Sequence, residues 1–408
     1  MSETSAATRR APIECDIVYF PLGAAAFGGA ERSILELASA QQSAGKRVLV
    51  CYEPALEATD FLSQAQAMHL PLLKVDWAPE RTPLQVARTA WRLFSRVRAP
   101  LVHFNISWRP SMWLIPLLAR SFTRARLVGT MRAMPEPYDR IPRGRVLGFI
   151  PSPRLWMLPD MLVGRVWAHA LHATVSVNRD DYPPRLKREF AFPANRLSVI
   201  YNGVRIPAQV PSDAQRQEAR HALGCSEGDF IVTYVGRVSP EKGLRYAIDA
   251  LSACPARVHL LVAGEGDELA ELKAHANALG LGERVRFLGY VAQPFDVFTA
   301  AHVTVVPSLW NEAFGRVVVE AMACRSAVVA TAVGGMRELF EHGREGLFVP
   351  KEDAMAIAAA LNQLEADPAK LNAMQHAGRQ LAEQRYATSR VAAENTALYA
   401  RLLGASHA

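Results

Sequence analysis

The 408-residue chain has only five cysteines (Cys15, Cys51, Cys225, Cys254 and Cys324), and none forms a C-x-x-C pair. An odd, scattered set argues against a disulfide framework or a structural zinc site, and for a reducing compartment. No uncharged apolar run reaches the roughly 18 residues of a spanning helix, and the best, around Met112–Ala119, is far shorter. The opening MSETSAATRRAPIEC lacks the apolar stretch of a signal peptide, so a soluble or membrane-peripheral protein is expected. No G-x-G-x-x-G follows the first apolar run, where Gly23 and Gly28-Gly29 have another spacing, and this disfavours an NAD-dependent dehydrogenase. Helix-turn-helix, RNA-recognition and zinc-finger patterns are missing too, so the pI of 9.3 does not by itself point to nucleic acid.

What is present is half apolar and 21% charged, which excludes a disordered or fibrous chain. One core rarely serves this length, so two domains are expected. Charge divides along the chain. Residues up to Arg205 carry 27 Lys+Arg against 16 Asp+Glu, or +11; the remainder carries 19 against 23, or −4. Most of the excess lies between Arg81 and Arg165, with 15 basic residues against Glu136, Asp139 and Asp160. Trp91, Trp108, Trp113, Trp156 and Trp167 fall in or just beyond that window. A basic face with aromatic anchors fits an anionic partner: an anionic membrane surface, a lipid-linked phosphate or nucleic acid. The plainer alternative is a solvated surface with core tryptophans.

The periodicity is α/β throughout. Apolar strands are expected at Asp16–Phe20, Lys46–Tyr52, Leu101–Phe104, Ala125–Thr130 and Ala173–Val177. The later half alternates more clearly. Strands at Phe230–Val235, Val258–Ala263, Val285–Leu288, Ala301–Pro307 and Ala327–Thr331 are interleaved with helices, the last of them at Met336–Glu341. Such alternation predicts two doubly wound parallel sheets, here 1–205 and 206–385, with a closing helical segment 386–408. The Pro-, Gly- and Arg-rich stretch from Arg132 to Pro159 reads as a long loop.

The segment Pro307-Ser-Leu-Trp-Asn-Glu-Ala-Phe-Gly-Arg-Val-Val-Val-Glu320 carries two carboxylates, Glu312 and Glu320, around a helix start at Phe314, Gly315, Arg316 and Val317. Free N–H groups and the positive dipole end there suit phosphate, and a carboxylate about two turns into the helix, as expected of Glu320, suits ribose hydroxyls. Upstream, Val235-Gly236-Arg237-Val-Ser-Pro-Glu-Lys242-Gly243 places two cations after a strand, where they could stabilise a pyrophosphate leaving group without a metal. Downstream, Thr331-Ala-Val-Gly-Gly335 offers paired glycines that would let a substrate approach the backbone. Phe27-Gly28-Gly29-Ala-Glu-Arg32 repeats the theme after the first strand.

The ordered set GGAER, YNGV, VGRVSPEKG, E-x7-E and TAVGG resembles the retaining glycosyltransferases of family 4, over roughly Gly28 to Val349. The resemblance implies a GT-B fold, two Rossmann-like domains facing each other across a cleft. It also implies an N-terminal acceptor domain, a C-terminal nucleotide-sugar domain and a last helix that returns to the first. Carried over by residue, Arg237 and Lys242 would hold the donor diphosphate, Glu320 the ribose, and Glu312 would lie near the transferred sugar. Gly236 and the amides of Phe314, Gly315, Arg316 and Val317 would line the phosphate and sugar pocket. Tyr290 and Val291 would flank the base, and Gly28 and Gly29 would meet the phosphates from the other domain. No metal or cofactor is expected; the nucleotide-sugar is a co-substrate. The family commonly has His in a T-x-H pattern where this chain reads Thr130-Met-Arg132. Either Arg132 takes its place as a charged donor or activity is weakened, and a catalytically weak nucleotide-sugar-binding scaffold is the alternative reading. His103 and Asn105 are acceptor-side candidates. The implied setting is surface polysaccharide or glycolipid synthesis at the cytoplasmic face of the inner membrane, with a saccharide or lipid-linked acceptor.

Overall fold

The computed structural model describes residues 11–22, 27–77, 82–106, 114–134, 145–146, 150–151 and 158–404. Trp108, Trp113 and Trp156 lie outside these. The chain forms two units, one of Met1–Val177, Tyr182–Ile200 and Ala392–Ala408, the other of Asn178–Asp181 and Tyr201–Val391. The division at Ile200/Tyr201 falls five residues before the one read from composition, and residues 178–181 group with the second unit.

The first unit is built on strands β1 (Ile17–Leu22), β2 (Val48–Tyr52), β3 (Leu72–Lys74), β4 (Leu101–Ile106), β5 (Arg126–Met131), β6 (Ala173–Ser176) and β7 (Leu197–Val199). They lie in the order 7-6-5-4-1-2-3, all parallel. Helix α1 (Gly29–Ser43) follows β1, while α2 (Pro83–Arg96) and α3 (Leu114–Phe122) flank β4. Thr82 starts α2: its N–H donates to Gln85 Oε1 at 2.9 Å and its hydroxyl accepts from the Gln85 amide, with Pro83 in the first turn. The core packs Phe20 against Phe104 and Trp77, with ring centroids 5.4 and 6.2 Å apart.

The second unit repeats the design with β8 (Phe230–Val235), β9 (Val258–Ala263), β10 (Val285–Gly289), β11 (Val303–Val306), β12 (Ala327–Thr331) and β13 (Gly346–Val349), ordered 10-9-8-11-12-13. The central strands are runs of β-branched and aliphatic residues because both faces are covered, and Val232, Leu260, Val303 and Val329 are fully buried. Helices used below are α4 (Asp213–Ala222), α5 (Leu244–Ala250), α6 (Phe295–Ala300), α7 (Arg316–Ala323) and α8 (Thr388–Leu403). Arg216 of α4 is buried, and its guanidinium closes the ends of α6 and α7 by donating to Ala301 O (2.7 Å), Cys324 O (3.3 Å) and Arg325 O (2.6 Å). The helix expected at Met336–Glu341 is instead a short 3-10 turn, Gly334–Glu338. The last helix divides by contact at Val391/Ala392. In its later part, Ala392 O and the Thr396 hydroxyl each accept a 2.9 Å bond from Gln41 Nε2 of α1.

One histidine does the same task in each unit, at the amino edge of the sheet. His172 and His302 precede β6 and β11. Each donates its backbone N–H to, and accepts at Nδ1 from, the second residue of a neighbouring strand, Leu127 and Ile231 respectively. The accepting nitrogen must stay unprotonated. Burial, with nearby arginines, pushes the His302 pKa down to about 3, and burial with Arg132 does the same for His103 of β4. With folded values below the usual 6.5, the unfolded chain takes up these protons first, so stability is full above that value and declines as pH falls toward 3. Each of the two histidines is expected to withdraw on the order of 2 kcal/mol between about pH 7.5 and about pH 5. Urea midpoints at the two pH values test this, and His302→Gln should flatten the dependence. An unchanged midpoint would contradict it.

Candidate functional site

Five loops at the carboxyl ends of β8 to β12 gather the residues singled out in the second half of the sequence. The loop after β8 begins at Gly236, whose N–H bonds Ala263 O at 3.0 Å, and continues through Val238, whose N–H bonds Glu265 O at 2.8 Å. It is thus laced to Gly264-Glu265-Gly266, the loop after β9. Gly264 is required there by contact: a Cβ on it would sit 1.8 Å from Gly236 O. This G-x-G belongs to the site but was not anticipated, although its position after the apolar run Val258–Ala263 is visible in the sequence. Gly264 N–H also bonds Gly289 O at 2.8 Å, which brings in the loop after β10. There Tyr290 is exposed, with its N–H 3.4 Å from Glu265 Oε1, and Val291 follows it.

Arg237 and Lys242 share one loop but differ in setting. The Arg237 side chain is 69% exposed and only 3.8 Å from Glu241 Oε1, a contact worth little in water. Lys242 is mostly buried, and its Nζ is paired with Glu312 Oε1, which also accepts from Ser308 Oγ at 3.0 Å. The main chain locks the same two loops together, since Leu309 and Trp310 donate to Glu241 O at 2.9 and 3.3 Å. Gly243, at φ +67°, lets α5 begin against Pro307 O, where a Cβ would stand 2.2 Å away. Glu312 and Lys242, taken from separate motifs 70 residues apart, are therefore one pair.

Gly315 is the N-cap of α7 in a left-handed conformation, φ +89°. The helix opens with Arg316 and Val317, whose N–H groups have no acceptor within the helix. Phe314 is buried beside Tyr201 and Tyr386, so its ring anchors the loop while its backbone stays at the helix entrance. Glu320, one turn on, is buried and accepts from Arg316 Nε and Nη2 at 3.1 and 2.9 Å, while Arg316 Nη1 donates to Gly203 O at 2.8 Å. This Arg316–Glu320 pair was not foreseen, although the i,i+4 spacing could have suggested it.

The paired glycines of the TAVGG segment do something other than expected. A Cβ on Gly334 would lie 2.3 Å from Glu312 O and one on Gly335 2.2 Å from Ala313 O, while Gly335 N–H bonds Glu312 O at 2.7 Å. The backbone they admit is that of the Glu312 loop. Asn178, fully buried and also unanticipated, holds the same loop by donating to Ala313 O at 2.9 Å.

In the first unit, Gly28 caps α1, its N–H donating to Glu31 Oε2 at 3.0 Å, and Gly29 begins the helix. Asn105 ties this turn to β5: its Nδ2 donates to Ala30 O at 2.9 Å and its Oδ1 accepts from Arg132 Nε. Asn105, Arg132 and the Gly28–Gly29 turn therefore form one group. His103 is a correction. It is 1% exposed, with Nδ1 2.5 Å from the Tyr399 hydroxyl and Nε2 2.7 Å from Thr130 Oγ1, so both ring nitrogens are used internally and none faces an acceptor. Among the described residues, no cluster of three or more His, Cys, Asp or Glu could hold a metal ion, and no helix is long and apolar enough to cross a membrane.

Two family models match the chain in succession: Glycosyltransferase Family 4 over residues 27–206 and Glycosyl transferases group 1 over residues 215–381. A D-inositol 3-phosphate glycosyltransferase of Rhodococcus opacus is 34% identical over 212 residues, 48% of this chain and 46% of that protein. The chain thus spans about half the length of that curated relative. One of the same name from Xylanimonas cellulosilytica is 32% identical over 302 residues, 71% of this chain and 67% of that protein. Among solved structures, Anabaena HepE in complex with UDP superposes with a TM-score of 0.79 at 22% identity, covering 95% of this chain and all of that one. The chain belongs to glycosyltransferase family 4 and has the GT-B fold of two Rossmann-like units.

Proposed function

We propose that this protein is a retaining glycosyltransferase, moving a sugar from a nucleoside-diphosphate donor to a saccharide or lipid-linked acceptor without a metal ion. The observation that carries the reading is the Lys242–Glu312 pair, held beside the opening turn of α7 at the carboxyl ends of β8 and β11. The Lys242 ammonium, the exposed Arg237 guanidinium and the first amides of α7 supply positive charge at the place where open α/β sheets bind ligands. As the anomeric C–O bond to the diphosphate breaks, negative charge grows on the leaving oxygen, and these groups would stabilise it. The acceptor hydroxyl attacks from the same face and gives its proton to the departing phosphate, forming the new glycosidic bond with retention. Glu320, held by Arg316, takes the ribose. Glu312 stands next to the transferred sugar, while Tyr290 and Val291 flank the base. Arg132, fixed by Asn105, is the first unit's charged hydrogen-bond donor, and that unit binds the acceptor. Its excess of positive charge fits an anionic, lipid-linked acceptor at a cytoplasmic membrane face, as in polysaccharide or glycolipid assembly.

A relative named D-inositol 3-phosphate glycosyltransferase and a fold neighbour solved with UDP support a nucleotide-sugar donor. Thermal shifts with UDP, GDP, ADP and their sugar conjugates test it. The matching nucleotide at 100 times its Kd is expected to add about 2.7 kcal/mol of stability. No shift with any of them would refute the donor assignment.

A further inference from the structure

Between Glu80 and Glu136 the chain holds ten arginines and no Lys, Asp or Glu. The structure shows how part of this stretch is displayed. Helix α2 buries Ala90, Leu93 and Phe94 against the first unit. Its opposite side carries Leu84, Arg88, Trp91 and Ser95 at i, i+4, i+7 and i+11, with Arg92 beside them, so these side chains share one outward face. Leu84 is 76% exposed and Trp91 58%. Helix α3 packs next to α2 and adds exposed Leu117, Arg120 and Phe122.

Tryptophan is among the more buried residue types, and a wet Trp and Leu on one helical face lose the free energy of apolar burial. Protein interfaces deplete charge from their centres, whereas here arginine alternates with the apolar anchors. An anionic bilayer surface meets both features. Indole and aliphatic side chains settle at the headgroup level, and guanidinium groups bind lipid phosphates in paired hydrogen bonds; no carboxylate lies in the same stretch of sequence.

We propose that the outward face of α2, with the neighbouring exposed Leu117 and Phe122 of α3, docks the protein on a membrane rich in anionic lipid, with Trp91 and Leu84 entering the interface and Arg88 and Arg92 binding headgroup phosphates. This deepens the reading of a lipid-linked acceptor and rests on it for its purpose: the acceptor unit is held where such an acceptor lies.

The test is co-sedimentation of the full chain with vesicles of phosphatidylglycerol mixed with phosphatidylcholine, and of phosphatidylcholine alone. The protein is expected to bind the anionic vesicles, to be released by salt, and to ignore the neutral ones. Arg88→Glu with Arg92→Glu, and separately Trp91→Ala, should each weaken binding about tenfold or more. Arg344→Glu with Lys351→Glu, an equal charge change on the second unit, should not. The thermal shift with the nucleotide matched above, and the melting temperature without it, should be unchanged in all of them, which shows that they fold and keeps a failure of docking distinct from a failure of donor binding. Equal binding by the α2 variants and the parent, or none by the parent, overturns the proposal. So does a concentration-dependent dimer, seen by sedimentation velocity, that Trp91→Ala abolishes in a parent that ignores vesicles.

Discussion

Replacing Lys242 by alanine is expected to lower kcat for sugar transfer by about 10²–10³-fold, the usual effect of removing one placed group that meets charge developing in the transition state. The ammonium is mostly buried, its position is set by the Glu312 carboxylate, and its loop is fastened to residues 309–310 through Glu241 O. A cation fixed in this way needs no reorganisation when the diphosphate departs. Because leaving-group charge exists in the transition state and much less in the bound donor, the loss should appear in kcat more than in KM. Lys242→Arg should recover part of the rate. Glu312→Gln keeps an acceptor for Ser308 but removes the charge that holds Lys242, and should also be slow. Steady-state kinetics with the donor found by thermal shift decide the matter; a loss below tenfold for Lys242→Ala would remove it from the chemistry.

Gly264→Ala is expected to cost about 3–5 kcal/mol, near the upper end for a single methyl group. Gly264 sits at φ +155° with its Cα facing Gly236 O, and the added Cβ would stand 1.8 Å from that oxygen. The oxygen belongs to the backbone and has no rotamer to escape into. Moving Gly236 would break its bond to Ala263 and displace the loop that carries Arg237 and Lys242. Gly280→Ala is the control. It also has positive φ, +71°, but nothing lies within 4 Å of its Cβ, so only the backbone strain of roughly 1 kcal/mol remains. Urea unfolding of the two variants compares them directly. Equal stabilities would mean that the loops after β8 and β9 are not bound to each other as described.

The central strands were legible because apolar and β-branched runs such as Phe230–Val235 and Ala327–Thr331 admit no other placement than a sheet covered on both faces. Strands β3, β7 and β13 were not, since three or four residues at or near a sheet edge leave no period to read. The candidate residues of the second half stood out because their two segments, 236–243 and 307–320, follow strands. Their pairing did not: Lys242 with Glu312 is a fact of loop geometry, while Arg316 with Glu320 follows an i,i+4 helical spacing that alone does not single it out. His103 shows the limit most plainly. A lone histidine within an apolar run looks the same whether it faces a ligand or a neighbour, and its neighbour, Tyr399, is 296 residues away in sequence. The glycines of TAVGG were read as admitting a substrate, whereas the atoms packed against them are backbone oxygens of the Glu312 loop, which sequence does not reveal.

That distant tyrosine also bears on the order in which the molecule can be made. The second unit takes most of its residues from one uninterrupted stretch, Tyr201–Val391, whereas the first takes its last piece from Ala392 onward. Until that piece leaves the ribosome, His103 has no Tyr399 and Gln41 no Ala392 or Thr396. The half synthesised first is thus the half completed last, and in nascent chains these hydrogen-bonding partners wait through translation of the whole second unit.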